Sequence, residues 1–161
     1  MTLALLQGRN DFATLRHLQN VIVLLALLLV PYGLLGWLQV SDPVRGRAGL
    51  AAAFAFTGLG HFLKTAQMKQ MLPAWVPGRV PLIYATGVLE LAACVGMFLP
   101  GISRLTGVAL CTFLLLALPA NVHAAVHRVD VGGHAAGPAY LLVRVPLQLL
   151  LLTWVYWFVI R

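Results

Sequence analysis

Of 161 residues, 61% are hydrophobic and only 9% charged, whereas a soluble domain keeps charge on roughly a quarter of its residues, so the composition excludes a water-covered surface and makes lipid the expected solvent. The eleven Lys and Arg against four acids, a net charge of +7, are scattered between apolar runs rather than clustered, which argues against a nucleic-acid partner and for anchors at anionic lipid headgroups. The two cysteines, Cys94 and Cys111, show no CxxC or Cys/His ligand spacing and say nothing about the redox compartment.

Crossing a hydrocarbon core of roughly 30 Å takes about twenty apolar residues of helix, and five runs meet or approach that length. The first, Asn20 to Val40, follows Arg9 and Arg16 in the layout of a signal peptide. It is too long for one and lacks a small-residue cleavage site, so a retained first helix is expected. "SDPVRGR" breaks the chain before the second run, Ala48 to Leu63. The chain goes on as "KTAQMKQML", where Met68, Met71 and Leu72 share a helical face opposite Lys69 and Gln70. That pattern predicts a helix that leaves the membrane or bends along its surface.

"LPAWVPGRVP" leads into the third run, Pro81 to Leu99, whose proline suits a first helical turn because its missing N–H does no harm there. The short "PGISR" turn separates it from the fourth, Leu105 to Val126, and "HRVDVGGHAAGP" precedes the fifth, Tyr140 to Ile160. Pro31, Pro119 and Pro146 fall inside runs and predict kinks. An Asn amide near Pro119 is suited to carbonyls freed by its kink. No repeat or second domain is visible, so residues 1–161 read as one all-α, polytopic membrane helix bundle with five spans.

Five spans place the termini on opposite sides of the membrane. Trp37, Trp154 and Trp157 then fall on the C-terminal side, with Trp75, Tyr84 and Tyr140 towards the other. Arg9, Arg16, Lys64, Lys69, Arg79, Arg128 and Arg144 share the N-terminal side, against Arg45, Arg47, Arg104 and Arg161 opposite. This excess favours a cytoplasmic N-terminus.

Glu90 stands nine positions into the third run, about 13 Å deep and so near the bilayer centre. A bare acid there costs several kcal/mol, so it must face a partner or water, or carry a proton. The fifth helix enters from the same face and puts Arg144 about 6 Å and Gln148 about 12 Å deep on one stripe, which makes them the expected partners of Glu90. The second and fourth helices return to this face with His61, and with Asn121 and His123, in their last turns. The polar groups thus occupy one half of the bilayer, and the reading is a funnel, open on one side, with Glu90 at its floor.

Each element also has a plainer reading. Glu90 with Arg144 fits a clamp between helices as well as a binding or proton-handling site. His123 and His127 have the i, i+4 spacing of zinc ligands but lack the glutamate of HExxH, and His61 with His123 is a conceivable bis-histidine haem pair; neither zinc nor haem is assigned. Cys94 and Cys111 lie at similar distances from the "PGISR" turn, and read either as neighbours or as small apolar fillers.

The series "GHF" (60–62), "LPAWVPG" (72–78), "GVLELA" (87–92), "LPANVHAA" (118–125) and "RVPLQ" (144–148), followed by Trp154, resembles the DoxX-like family of small bacterial membrane proteins. The resemblance runs from about Ala48 to Phe158 and implies a four-helix core, to which the first helix is an addition. It also implies a bacterial inner-membrane location and a redox-linked partner protein. The recurring His, Glu, Asn, Arg and Gln of that family correspond to His61, Glu90, Asn121, Arg144 and Gln148. This chain departs from a redox-active pattern in having no thiol pair of redox spacing.

The leading expectation is an accessory, non-enzymatic subunit whose pocket, built from His61, Glu90, Asn121, His123, Arg144 and Gln148, binds a quinone or another amphipathic small molecule. A small transporter or proton relay centred on Glu90, and a structural scaffold or chaperone, are the competing readings.

Overall fold

The computed structural model describes residues 2–161, with side chains from Leu18 onward; the side chains of Arg9 and Arg16 lie outside the described residues. Within this range the chain is helical and has no strand. The elements are α1 (Thr2–Trp37), α2 (Asp42–Leu63), α3 (Thr65–Met71), α4 (Arg79–Gly96), α5 (Ser103–Val126) and α6 (Leu141–Val155). Two 3-10 turns, His134–Ala136 and Pro138–Tyr140, precede α6, and a π-helical turn, Tyr156–Ile160, ends it.

Four segments are long and apolar enough to cross a membrane: Leu18–Trp37, Arg79–Gly96, Ser103–Val126 and Pro138–Ile160. The helix α2 matches them in length but is built from Gly and Ala around Arg47 and His61, which lowers its apolar content. It also starts at Asp42, six residues before the expected Ala48, with Pro43 in its first turn. Pro31, Pro119 and Pro146 all lie within continuous helix.

The small residues of α2 make it the centre of the bundle. Gly49 meets the Leu28 carbonyl of α1, and Gly46 meets the Phe158 ring, approaches that a Cβ on either glycine would obstruct. Close backbone approach through small residues replaces the hydrophobic drive that lipid does not supply between helices. Leu28, Leu50, Phe54, Met97, Leu110 and Val155 form the main apolar core around it. Large side chains elsewhere point outward, as a lipid-facing surface requires; Leu116 is 74% and Leu142 81% exposed.

The chain-reversal geometry is specific. At the ends of α1 and α5, Gln39 and Arg128 take left-handed backbone (φ 58° and 51°). The Val40 N–H reaches Leu35 O and the Val129 N–H reaches Ala124 O, with Gln39 and Arg128 bonding Gly36 O and Ala125 O. Both are Schellman endings, and the apolar contact that accompanies this motif is made at the second, where Val129 packs on Ala124.

At the "PGISR" end the bundle is sealed by tertiary hydrogen bonds. Arg47 Nε donates to Phe158 O (2.8 Å), Trp154 Nε1 to Gly46 O (3.1 Å) and Ser103 Oγ to Val159 O (3.3 Å). At the other end Lys64 breaks the helix (φ −121°, ψ 28°) and α3 turns away, as the Met pattern predicted. Met68 and Met71 pack on Ala124, Val129 and Val131, so α3 lies across this end of the bundle.

Candidate functional site

A cavity of about 560 Å³ lies between α2, α4, α5 and α6, with α3 at its end. Its size is that of a small-molecule site. His61, Glu90, Asn121, Arg144 and Gln148 all line it. The sixth candidate, His123, does not. It is two residues from Asn121, which on a helix is about 200° of rotation, so the two cannot share a face. Its ring instead packs at a tilt of 38° on His127 with centroids 4.0 Å apart, and His127 Nδ1 donates to His123 O (2.9 Å). This separation also removes the His61–His123 haem pair. Among the described residues no three His, Cys, Asp or Glu side chains gather into a metal-sized group.

Two glycines bring the central pair together. Gly58 precedes His61 by three residues and Gly87 precedes Glu90 by three, so each glycine lies on the same helical face as the polar group it serves. A Cβ on Gly87 would lie 2.8 Å from His61 Cβ, and one on Gly58 would lie 3.2 Å from Glu90 Cβ. With both positions bare, α2 and α4 close until His61 Nε2 is 3.6 Å from Glu90 Oε2. Glu90 is 3% exposed, and its Oε2 has no hydrogen-bond donor.

The His61 ring is held in one tautomeric sense. Its Nδ1 is 3.0 Å from Ile83 O, an oxygen that can only accept, so Nδ1 carries the hydrogen. The same nitrogen is 3.0 Å from Thr86 Oγ1, which itself donates to Ile83 O (2.9 Å) and so accepts from the ring. The Nε2 atom therefore faces Glu90 as the exchangeable position.

The expected partnership of Glu90 with Arg144 and Gln148 is corrected by this geometry: among the described residues the basic group within 4.0 Å of Glu90 is His61, and Gln148 bonds Asn121 and Leu114 O instead. Arg144 comes from α6, lines the same cavity, and has a buried Nε that makes no hydrogen bond. The depth reading brought both groups to one cavity but carried no information about distance across the bundle.

Gln148 and Asn121 form the other polar wall. Asn121 Nδ2 donates to Gln148 Oε1 (3.3 Å), and Gln148 Nε2 donates to Leu114 O within α5. Pro119 has no N–H to give to Leu115 O, the acceptor four residues before it. Gln148 bonds the neighbouring carbonyl, Leu114 O, and so ties α6 to the α5 backbone, while Asn121 bonds Gln148 rather than an α5 carbonyl. Cys94 donates to Ala51 O (3.3 Å) and Glu90 O (3.2 Å), and both cysteines are free thiols.

Three threonines, Thr57, Thr86 and Thr112, also line the cavity and were not singled out from the sequence. The spacing of four residues from Thr57 to His61 and from Thr86 to Glu90 was the available signal, and Thr112 had none, but a lone Thr in an apolar helix ordinarily bonds its own backbone, as Thr57 does to Ala53 O (3.2 Å). His134 was likewise missed. It is 3% exposed, packs edge-on to Tyr140 at 5.1 Å and donates from Nδ1 to Val131 O (2.8 Å). Burial holds its imidazole below the ordinary histidine range, helped by the Arg144 charge and opposed by the Val131 hydrogen bond.

Residues 50–159, which carry every side chain of the cavity except Leu24, match the family described as a domain of unknown function (DUF8561). No curated protein and no solved structure matches the chain.

Proposed function

The chain belongs to the DUF8561 family, and from the polar cavity built by the matched segment we propose that it is an accessory subunit of a redox-linked membrane complex that holds the head of an amphipathic small molecule, a quinone being the candidate. The observation that carries this reading is one cavity, mostly apolar, into which an acid–imidazole pair and an arginine with an unbonded Nε all face. Few convergent polar groups in an apolar pocket are what fixes the orientation of such a ligand.

In this reading Arg144, with its free Nε–H, donates to a quinone carbonyl oxygen, and the remaining amide hydrogen of Gln148 assists. The His61–Glu90 pair holds the proton that accompanies an electron. The electrons belong to a partner protein, so the chain acts as a binding subunit and not as an enzyme on its own. The likeness of "GHF", "GVLELA" and "RVPLQ" to DoxX-like proteins supports the redox link and a bacterial inner-membrane setting. The 22 residues of α2, about 33 Å of helix, support a fifth span around which the other four pack. The excess of cations towards the start of α4 and the end of α5 favours a cytoplasmic N-terminus.

Native mass spectrometry of the gently solubilised protein tests the reading. The wild type is expected to retain a quinone-sized mass, and Arg144→Ala to lose it while the bundle stays assembled. A wild type that carries no such molecule and takes up none when a quinone is added contradicts it. Full function in a stable Glu90→Leu, Arg144→Leu double variant would assign the cluster to helix specificity alone.

A further inference from the structure

The cavity wall has a seam. α4 and α5 approach closely at the "PGISR" turn, where a Cβ on Gly96 would lie 2.6 Å from Thr106 Oγ1. Away from the turn both helices present stripes to the cavity. On α4 these are Leu82, Thr86 and Leu89; on α5 they are Ala109, Thr112 and Leu116. The spacings of four and three on each helix define continuous faces. The α5 stripe is exposed along its length, and Leu82 at the α4 edge is 43% exposed. Residues that line the cavity are thus also on the outer surface of the bundle. The end of the bundle, where the sequence predicted the funnel to open, is instead crossed by α3, with Met68 and Met71 as part of the cavity wall.

We propose that the ligand is a single-tailed, membrane-dissolved molecule whose head meets Glu90, His61 and Arg144 while its tail leaves sideways through the α4–α5 seam into the acyl chains. The inference rests on the amphiphile reading above and adds the path of the tail. An apolar tail has no water to escape on leaving such a seam, so binding selects for the head, and the seam needs only to leave room for the tail.

The test uses the full chain in phosphatidylcholine nanodiscs and two probes: a decyl-tailed dimethoxybenzoquinone, and the same ring with a methyl group in place of the tail. Ala109→Trp and Leu116→Trp each put an indole in the seam from an exposed position, away from the polar groups. Each is expected to weaken the tailed quinone by about tenfold or more, as a lost fit of that order does, and to leave the methyl-ring affinity unchanged. Retained ring binding shows that the pocket of the variant is folded. If both variants bind the tailed quinone as the wild type does, the seam is not the tail's path, and the proposed pocket stands without it. If the wild type binds neither probe, the quinone reading fails and this inference falls with it.

Discussion

His61 Nε2 faces Glu90 Oε2 across 3.6 Å, and the opposite ring nitrogen is already committed as a donor to Ile83 O and Thr86 Oγ1. A carboxylate and an imidazole lone pair repel each other, so the stable arrangement keeps one proton between the two groups, on either side. At 3.6 Å the contact is longer than a hydrogen bond, and a ligand atom or a small ring movement completes it.

Replacing Glu90 by Gln supplies an amide N–H to His61 Nε2 but no transferable proton. The variant is expected to fold within about 1 kcal/mol of the wild type and to lose the pH dependence that the shared His61–Glu90 proton gives to quinone affinity. Equilibrium binding at several pH values reads this out; an unchanged pH profile in Glu90→Gln would remove the pair from proton handling.

Gly87 is required by contact. A methyl group there meets His61 Cβ at 2.8 Å and Phe62 Cε2 at 2.9 Å, so Gly87→Ala is expected to cost roughly 1–3 kcal/mol through overpacking. It also pushes His61 away from Glu90, weakening ligand retention. Gly33→Ala is the control, because nothing lies within 4 Å of its added Cβ and the gain in helix propensity is about 0.5–1 kcal/mol. Thermal unfolding in one detergent compares them, and equal melting temperatures would contradict the close-packing account.

Gln148→Leu removes two interactions together, the donor to Leu114 O and the acceptor for Asn121. Hydrogen bonds between helices in a membrane are each worth about 0.6 kcal/mol, so a loss of about 1 kcal/mol is expected. A double variant with Asn121→Leu should lose less than the sum of the two single variants, because they share a bond. Strict additivity would show that the Asn121–Gln148 bond contributes nothing.

His134 lies in the segment between α5 and α6, and its depressed basicity fixes a sign. The folded chain takes up its proton at lower pH than the unfolded chain, whose histidine titrates at 6.5. Stability from this residue is therefore fully present above pH 6.5 and falls as pH drops through the interval down to the folded value. His134→Gln is expected to show a shallower loss of melting temperature on acidification than the wild type. Parallel slopes would mean that the imidazole does not contribute.

The membrane class, the placing of the helices and the surface turn at Lys64 were legible because each depends on local composition and spacing. Four apolar runs became helices near their expected bounds. The fifth, α2, also formed, but its Gly and Ala pattern reports packing by neighbours more than contact with lipid. The sharing of one cavity by His61, Glu90, Asn121, Arg144 and Gln148 was also readable, since depth along the membrane normal follows from residue count alone.

What residue count cannot supply is the angle and distance across the bundle. Glu90 faces His61 within 4.0 Å instead of Arg144 because Gly58 and Gly87 allow α2 and α4 to close, while α6 stands farther across the cavity. His123 is at the right depth but on the wrong side of α5, a difference made by two residues of helical rotation. The sideways seam arises only when α4 and α5 meet at one end and α3 folds across the other. Sequence by itself determined which groups lie at one level of the membrane; the packing of small residues between helices decided which of them touch.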